Sequence, residues 1–310
     1  MDFVVSVAHL PAPGETVLGH GFTMIPGGKG ANQACAAGRL AGDSLRVRMI
    51  GRVGQDVFGD TLKASLSAAG VDVSFVHASR SQPTGVAMIP VDRNGQNSIV
   101  VASGANMDLA ASDVEAMRRV FRGASAALFQ LETALETVQA ALQVAREEEL
   151  TTILDPAPAQ PLSDTLLALV DILTPNEAEA LGLLDRPVRR LDVSEAAEIA
   201  GALRRRGPRT VLIKMGDQGC FADGEAVSGF FPAFPVEAVD ATAAGDTFNA
   251  ALAVALAEGH PLDQAIPFAN AAAAISVTRR GAQASAPARA EVLTLLKSSG
   301  SSGYPSTRQA

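Results

Sequence analysis

The segment VDATAAGDTFNAALAVALAEG, residues 239–259, combines a turn of small residues with an acidic side chain at the start of an apolar helix. Ala243, Ala244 and Gly245 form the predicted turn, and Asp246 opens the helix. Small side chains let backbone N–H groups at the positive end of a helix approach an anion. Asp246 beside that anion could accept a proton from an attacking hydroxyl, which is the chemistry of a phosphotransferase. A helix cap after a glycine turn explains the same residues without any chemistry.

A second segment, PGGKGANQACAAGRLAG at residues 26–42, places glycines and polar donors at the start of a helix of small residues. Gly28 and Gly30 allow a ligand to approach the backbone, and Lys29 and Asn32 supply donors. The order of residues matches neither the P-loop pattern nor the dinucleotide-binding pattern. A tight turn that leads into a closely packed helix is the alternative interpretation.

The composition of the 310-residue chain limits its possible partners. With 47% hydrophobic and 19% charged residues the chain is globular, and it has neither a disordered nor a fibrous composition. It has 25 basic and 33 acidic residues, a net charge of −8, and no Trp. Nucleic acid is therefore not an expected partner, and any bound anion requires a local site.

Two cysteines, Cys35 and Cys220, are too few for a disulfide framework and are expected to be buried as small apolar residues. No apolar run approaches the roughly 18 residues that a membrane-spanning helix needs, and residues 1–14 lack a basic region before their short apolar stretch. We therefore expect a cytoplasmic protein without a membrane partner.

From about residue 45 onward, short apolar runs alternate with amphipathic stretches, which predicts an α/β fold with a parallel sheet. The carboxyl ends of the strands are expected to line the active face. Buried strands are predicted at 126–130, 151–155, 171–175 and 210–216, and a further strand at 234–239.

Two segments, 3–25 and 84–102, interrupt the alternation, and the second predicts a hairpin that turns at Asn94-Gly95. Such strands are expected to form a lid or an oligomer edge, although a hairpin without a role fits them equally well. We predict a single domain over residues 1–297. The polar residues 298–310 are expected to form a disordered tail.

Seven segments in order resemble the ribokinase-like carbohydrate kinases and span nearly the whole chain. The resemblance implies a three-layer α/β/α fold with a mostly parallel central sheet and a small β-sheet lid, through which two copies pair as a homodimer. The segments are PAPGETVLG at 11–19, GGKGANQA at 27–34, QLE at 130–132, DPAPA at 155–159, TPNEAEA at 174–180, AAGDTFNAAL at 243–252 and TRRGAQASAP at 278–287.

The sequences of the GGKGANQ and GAQASAP motifs are more similar to those of the ribose-phosphorylating members than to those of the fructokinases or adenosine kinases. The resemblance therefore implies ATP-dependent phosphorylation of D-ribose to D-ribose 5-phosphate. Another pentose or ketose, such as deoxyribose, stays open as the substrate. A catalytically inactive sugar- or nucleotide-binding protein is the alternative from a different functional class.

The resemblance also implies a role for individual residues. Asp246 would be the general base, and the N–H groups of residues 243–245 would stabilise the γ-phosphoryl group. The residues implied to hold sugar hydroxyls are Asp2, Gly28, Lys29, Gly30, Asn32 and Glu132. Those implied to bind ATP are Asn176, Lys214, Met215, Gly216, Asp217, Gln218, Gly219 and Asn270. Glu179 would organise Mg²⁺ through water, and a K⁺ site is implied at Asp240, Thr242, Ser276, Arg279, Gly281 and Ser285.

The chain departs from the family pattern at its start. Members of the family begin with an apolar strand inside the sheet and a Gly-Ser-x-Asn turn, and the counterpart of Asp2 follows that turn. The first strand of the family thus has no counterpart after Met1. Our hypothesis is that the natural protein extends upstream of Met1, and that the truncation puts the activity of the chain in doubt.

Overall fold

The computed structural model of the chain describes residues 1–43 and 45–299. The α-helices in these ranges are α1 (Lys29–Ala41), α2 (Val57–Ala68), α3 (Ala111–Ala116), α4 (Leu135–Glu147), α5 (Asp164–Leu167), α6 (Glu177–Leu183), α7 (Val193–Arg204), α8 (Ala244–Ala257), α9 (Leu262–Ser276) and α10 (Arg289–Ser298). The strands are β1 (Asp2–Ser6), β2 (Gly21–Ile25), β3 (Val47–Val53), β4 (Val71–Ala78), β5 (Val86–Val91), β6 (Val100–Ala102), β7 (Ala126–Phe129), β8 (Thr151–Leu154), β9 (Ile172–Leu173), β10 (Thr210–Lys214), β11 (Gly219–Gly224) and β12 (Ser228–Pro232).

Strands β7 to β12 form one sheet in the order β12-β11-β10-β9-β8-β7. The first four of them in the chain, β7 to β10, run parallel, and β11 and β12 extend the sheet in antiparallel pairs. The parallel strands lie within the four buried segments that the sequence predicts. The α/β prediction is thus confirmed, because short apolar runs with crossover helices pair in parallel.

Helices cover both faces of this sheet. Successive strand residues point to opposite faces, and the two faces pack into separate hydrophobic cores. Ile153 and Leu212 belong to a core with α1, α8, α9 and α10. Leu154 and Ile213, their neighbours in sequence, belong to a core with α4, α5, α6 and α7. This is the predicted three-layer α/β/α arrangement.

Strands β3 and β4 form a parallel pair, and in the described ranges it is a sheet of its own. Ile50 of β3 and Phe129 of β7 nevertheless pack against the same core, to which α3 and α4 contribute. The pair therefore belongs to the same layer as the six-stranded sheet. The proposed strand upstream of Met1 stays a prediction.

The strands β2-β1-β5-β6, in this order, pair as a separate four-stranded sheet, which we call the lid sheet. Strand β1 pairs antiparallel with β2 and parallel with β5, which pairs antiparallel with β6. In the loop between β5 and β6, the Asp92 carboxylate accepts hydrogen bonds from the N–H groups of Asn94 and Gln96. Gly95 adopts a φ of 77°, which glycine tolerates without strain.

One strand prediction is wrong. Residues 234–239 have no regular structure, and Val236 and Val239 are exposed. Pro235 removes a backbone donor in the middle of the apolar run, so the segment cannot complete a ladder of hydrogen bonds.

At the carboxyl end, Ser298 is the last residue of α10. The predicted tail lies outside the described residues from residue 300 onward.

Candidate active site

Helix α8 begins at the turn that the sequence predicts to bind an anion. Ala243 caps the helix in the left-handed region, with φ 58° and ψ 17°, and the N–H of Ala244 donates to the Ala241 carbonyl at 3.2 Å. N–H groups in the first turn of a helix lack intrahelical acceptors and lie at the positive end of the helix dipole. The turn can therefore stabilise negative charge without an arginine.

The position of this turn is fixed by the core. Every residue from Asp246 to Ala255 is buried, and α8 packs between α1 and α9. Apart from the buried Asn249, the helix is apolar on all sides after its first turn, which is typical of a helix in the interior of a protein. The start of the helix is consequently held rigidly relative to α1.

Asp246 lies in the first turn of α8 and is only 6% exposed. Its Oδ1 accepts a hydrogen bond from Gln33 Nε2, and its Oδ2 accepts one from Asn32 Nδ2, both at 3.0 Å. Burial raises its pKa, although Lys29 and the two amides act in the opposite direction. A buried carboxylate held in one orientation beside an anion turn is suited to accept a proton.

The predicted sugar ligands come together around the start of α1. A Cβ at Gly27 would overlap the Asp2 carboxylate, so this glycine brings β1 and α1 into contact. The Lys29 N–H donates to Glu132 Oε2 at 2.8 Å. A Cβ at Gly28 would lie 4.0 Å from the same oxygen, and one at Gly30 would lie 3.0 Å from Gln130 Oε1.

Asn32 joins this cluster to Asp246 and also has a free acceptor. Its Nδ2 donates to Asp246, which turns its Oδ1 away from the carboxylate. That Oδ1 is buried and has no hydrogen-bond partner. A buried acceptor without a donor is costly, and a sugar O–H group would supply the missing hydrogen bond.

Three carboxylates of the cluster have raised pKa values. Burial is the main cause for Asp2, Glu132 and Asp246, and repulsion between neighbouring carboxylates adds to it for Glu132. Buried carboxylates accept hydrogen bonds and cannot donate them when ionised. The cluster therefore presents an acceptor-rich surface that complements a ligand with several hydroxyl groups.

The predicted ATP segment begins at the end of β10. The backbone of Asn176 forms a parallel β-bridge with Lys214, and residues 216–218 form a 3-10 turn. Gly219 has a φ of 127°, and a Cβ there would overlap the Phe231 carbonyl oxygen. The segment brings backbone and the Lys214 ammonium to the active face.

Several side chains of the ATP segment point elsewhere. Met215 is buried in the core with α6 and α7, Asp217 pairs with Arg190 at the surface, and Gln218 Nε2 donates to the Leu191 carbonyl at 3.1 Å. These residues can therefore contact a nucleotide through backbone atoms rather than through their side chains.

Asn270 lies on the wall of a cavity of about 250 Å³ beside β12. Its Nδ2 donates to the carbonyls of Phe231 and Pro232 at 3.3 and 3.2 Å, which fixes its amide against the strand. Phe234 and Pro267 supply apolar surface to the same wall. An apolar cavity with an oriented amide suits a purine base.

Glu179 is the predicted Mg²⁺ residue. It is held at the start of α6 because it accepts hydrogen bonds from the N–H and the side chain of Asn176. Burial raises its pKa. In the described ranges, groups of three or more acidic, His or Cys side chains that could hold a metal are absent. A single carboxylate fits Mg²⁺ that is held through water and phosphate oxygens.

The predicted K⁺ residues lie on two segments that Asp240 links. Its Oδ1 accepts from the Thr242 N–H and its Oδ2 from the Gly281 N–H, both at 2.9 Å. Burial acts to raise the pKa of Asp240, but these hydrogen bonds lower it overall. The hydroxyls of Ser276 and Ser285 donate to carbonyls within their own segments. Oxygen ligands of this kind fit a hard monovalent cation.

Sequence reasoning missed three polar residues of the site: Gln33, Gln130 and Asp155. Gln130 Nε2 donates to Gln33 Oε1, and Asp155 accepts hydrogen bonds from Gln33 and Lys214. Asp155 directly follows strand β8, at the edge where the active face was predicted. That position was the signal that could have identified it. Gln130 directly follows strand β7 and carried the same signal, whereas Gln33, which lies within α1, carried none.

The fold and this site together match a known family. The family model described as pfkB family carbohydrate kinase matches residues 1–289, and the chain belongs to this family. It is therefore a carbohydrate kinase, which transfers a phosphoryl group to a hydroxyl group of a sugar. The resemblance found in the sequence is confirmed.

Individual relatives narrow the comparison. The chain is 42% identical to the ribokinase of Haemophilus influenzae over 96% of this chain and 95% of that protein. It is 33% identical to the deoxyribokinase of Salmonella typhi over 93% of this chain and 92% of that protein. The structure of Arabidopsis thaliana ribokinase complexed with ribose and ATP matches with a TM-score of 0.85 at 32% identity, over 96% of this chain and 95% of that one.

The structure also addresses the membrane prediction. Across residues 1–43 and 45–299, all helices are too short or too polar to cross a bilayer.

Proposed function

We propose that the protein is an ATP-dependent kinase that converts D-ribose to D-ribose 5-phosphate. The observation that carries the proposal is the position of Asp246, which is buried in the first turn of α8 and is hydrogen bonded to Asn32 of the sugar cluster. A single carboxylate thus lies between the polyol-binding cluster and the anion turn. The ribokinase relatives add independent support.

In the proposed reaction, Asp246 accepts the proton of the sugar's terminal hydroxyl group. The hydroxyl oxygen forms a bond to the γ-phosphorus as the bond between that phosphorus and the β–γ bridging oxygen breaks. The electron pair of the broken bond leaves with ADP. The backbone N–H groups of Ala243 and Gly245 stabilise the charge that develops on the transferred group, whereas the Ala244 N–H donates to the Ala241 carbonyl and holds the turn.

The two cations act beside this chemistry. Mg²⁺ held near Glu179 through water would neutralise phosphate charge. A K⁺ ion at the Asp240 site would brace residues 240–242, which lead directly into the anion turn. We therefore expect K⁺ to affect turnover more than sugar affinity.

The proposed homodimer would form through the lid sheet. Met24, Phe3, Met88 and Val100 are paired across the four strands, so their side chains share one face. Met24, Met88 and Val100 are more than half exposed. A contiguous apolar face of this kind is typical of a contact surface. Light scattering should give a dimer mass for the parent and a monomer mass for Met88→Lys.

Assaying ADP release with a panel of sugars tests the proposed substrate. D-ribose should give the largest kcat/KM, and 2-deoxyribose is the specific rival because a deoxyribokinase is among the relatives. A larger kcat/KM for deoxyribose would overturn the assignment of ribose but not that of a kinase. A cytoplasmic location is part of the proposal, since ATP is the co-substrate and Cys35 and Cys220 are unpaired.

A further inference from the structure

A chain of buried hydrogen bonds connects Asp246 to a lysine beneath the anion turn. Gln33 Nε2 donates to Asp246 Oδ1 and to Asp155 Oδ2, both at 3.0 Å. Lys214 Nζ donates to Asp155 Oδ1 at 2.8 Å. Gln33 and Asp155 are 2% and 3% exposed, so water does not screen these contacts.

The orientation of Gln33 is determined by its neighbours. A glutamine side chain has one carbonyl oxygen and one NH₂ group with two donors. Gln130 donates to the carbonyl oxygen, and the two carboxylates accept from the NH₂ group. The reverse orientation would place the carbonyl oxygen against two carboxylates and would lose both hydrogen bonds. The amide thus separates Asp155 from Asp246 and holds each of them in one position.

Lys214 brings positive charge to the anion turn. A Cβ at Gly245 would lie 3.3 Å from Lys214 Nζ, so the ammonium group lies directly against the backbone of the turn. Burial acts to lower the pKa of Lys214, but Asp155, Glu179 and Asp246 outweigh it and raise the pKa. The side chain is therefore charged at neutral pH, and Asp155 is the group that anchors it.

We propose that Gln33 and Asp155 are positioning residues, Gln33 orienting the Asp246 carboxylate toward the hydroxyl and Asp155 holding the Lys214 ammonium where the phosphoryl group is transferred. This proposal rests on the kinase function proposed above. Both residues are buried, and they act through their hydrogen bonds to Asp246 and Lys214. The same network positions the Asp246 carboxylate and the Lys214 ammonium group. A displacement of Gln33 or Asp155 therefore moves both of these groups relative to the reacting atoms.

The two residues act on the pKa of Asp246 with opposite signs. The hydrogen bond from Gln33 lowers that pKa, and the negative charge of Asp155 raises it. The other charged groups that face Asp246 are Lys29 and Lys214, which favour its ionised form, and Glu132, which interacts with it unfavourably. These groups remain when Gln33 or Asp155 is replaced. The direction of the change in pKa therefore identifies which contact was lost.

Two nearly isosteric variants test the proposal. Gln33→Met should move the acid limb of the pH profile of kcat to higher pH, and Asp155→Asn should move it to lower pH. Each should also reduce kcat at its own optimum by about 10- to 100-fold, since misplaced groups lose catalytic effect, while the KM for ATP changes less than kcat. Thr152→Val is the control. Thr152 lies on strand β8, which leads to Asp155, and its substitution removes buried hydrogen bonds that do not belong to the network.

The pKa of Asp246 can also be measured without turnover, by carbon-13 NMR of protein labelled at the Asp carboxyl carbons, with Asp246→Asn to assign the signal. A higher pKa in Gln33→Met and a lower one in Asp155→Asn, with no change in Thr152→Val, supports the proposal. Shifts of the same sign, or no shift in either variant, overturn it. Because this readout needs neither sugar nor ATP, it stands even if the parent proves to phosphorylate no sugar. Either variant alone is decisive if the other does not fold.

Discussion

Replacement of Asp246 by Asn should separate catalysis from stability. The substitution keeps the shape of the side chain and removes its capacity to take up a proton. Loss of a general base typically reduces the rate by about 100- to 10,000-fold. At about 1.36 kcal/mol for each factor of ten, this corresponds to about 2.7–5.4 kcal/mol of transition-state stabilisation.

The surrounding hydrogen bonds can adapt to the new amide. Gln33 can still donate to the remaining carbonyl oxygen. The Asn32 amide can turn so that its unpartnered Oδ1 accepts from the introduced NH₂ group. The number of hydrogen bonds is then unchanged, so we expect a folded variant that binds ATP as the parent does.

The pH dependence of stability provides a second readout. Burial raises the pKa of Asp246, so ionisation of this residue disfavours the folded state, and that loss of stability develops as pH rises through the folded-state pKa. The introduced amide cannot ionise. The Tm of Asp246→Asn relative to the parent should therefore increase from acidic to neutral pH.

Coupled ADP-release kinetics and thermal unfolding at several pH values measure both effects. Asp60→Asn is the matched control, because Asp60 lies in the first turn of α2 and outside the site; its kcat should equal that of the parent. A kcat for Asp246→Asn within ten-fold of the parent would refute the assignment of the base. A Tm of Asp246→Asn that stays constant or falls relative to the parent from acidic to neutral pH would refute the electrostatic argument.

Three further outcomes are expected. Asp2→Ala should raise the KM for ribose more than the KM for ATP, by about 10-fold or more, because a hydrogen bond to a charged group contributes about 1.5–3 kcal/mol; equal changes in both constants would exclude a selective role. K⁺ should increase kcat more than Na⁺ at matched ionic strength, and identical rates in K⁺, Na⁺ and a bulky organic cation would exclude the cation site. Gly219→Ala should lower the free energy of unfolding by more than about 1 kcal/mol, because its Cβ would overlap the Phe231 carbonyl oxygen. Gly95→Ala, where a Cβ meets nothing within 4 Å, should cost less, and equal losses in chemical denaturation would contradict this reasoning.

The elements that the sequence predicts correctly are those with a local cause. The parallel strands are short apolar runs that end at turn formers, and the anion turn combines small residues with the start of an apolar helix. Both patterns depend on neighbouring residues in the chain, so they can be read without a structure. The prediction of a strand at FPVEAV, residues 234–239, is wrong because it relied on the apolar residues and gave too little weight to Pro235, which interrupts backbone pairing.

The network around Gln33 could not be predicted in the same way. Gln33, Asp155 and Lys214 lie far apart in the chain, and a lone glutamine on a helix of small residues has no distinctive spacing. Their proximity results from the sheet order and from the packing of α1 against α8. The sequence predicts which element ends reach the active face, but it does not predict which amide bridges two carboxylates there.

Ala243 has a consequence for the thermodynamics of turnover. Its left-handed conformation is disfavoured for a residue with a Cβ by about 1–2 kcal/mol, and glycine would adopt it more readily. Glycine would also leave the turn more conformations to explore. With alanine, the direction of the N–H groups is set when the chain folds, and the entropy lost in ordering the turn does not recur in each catalytic cycle.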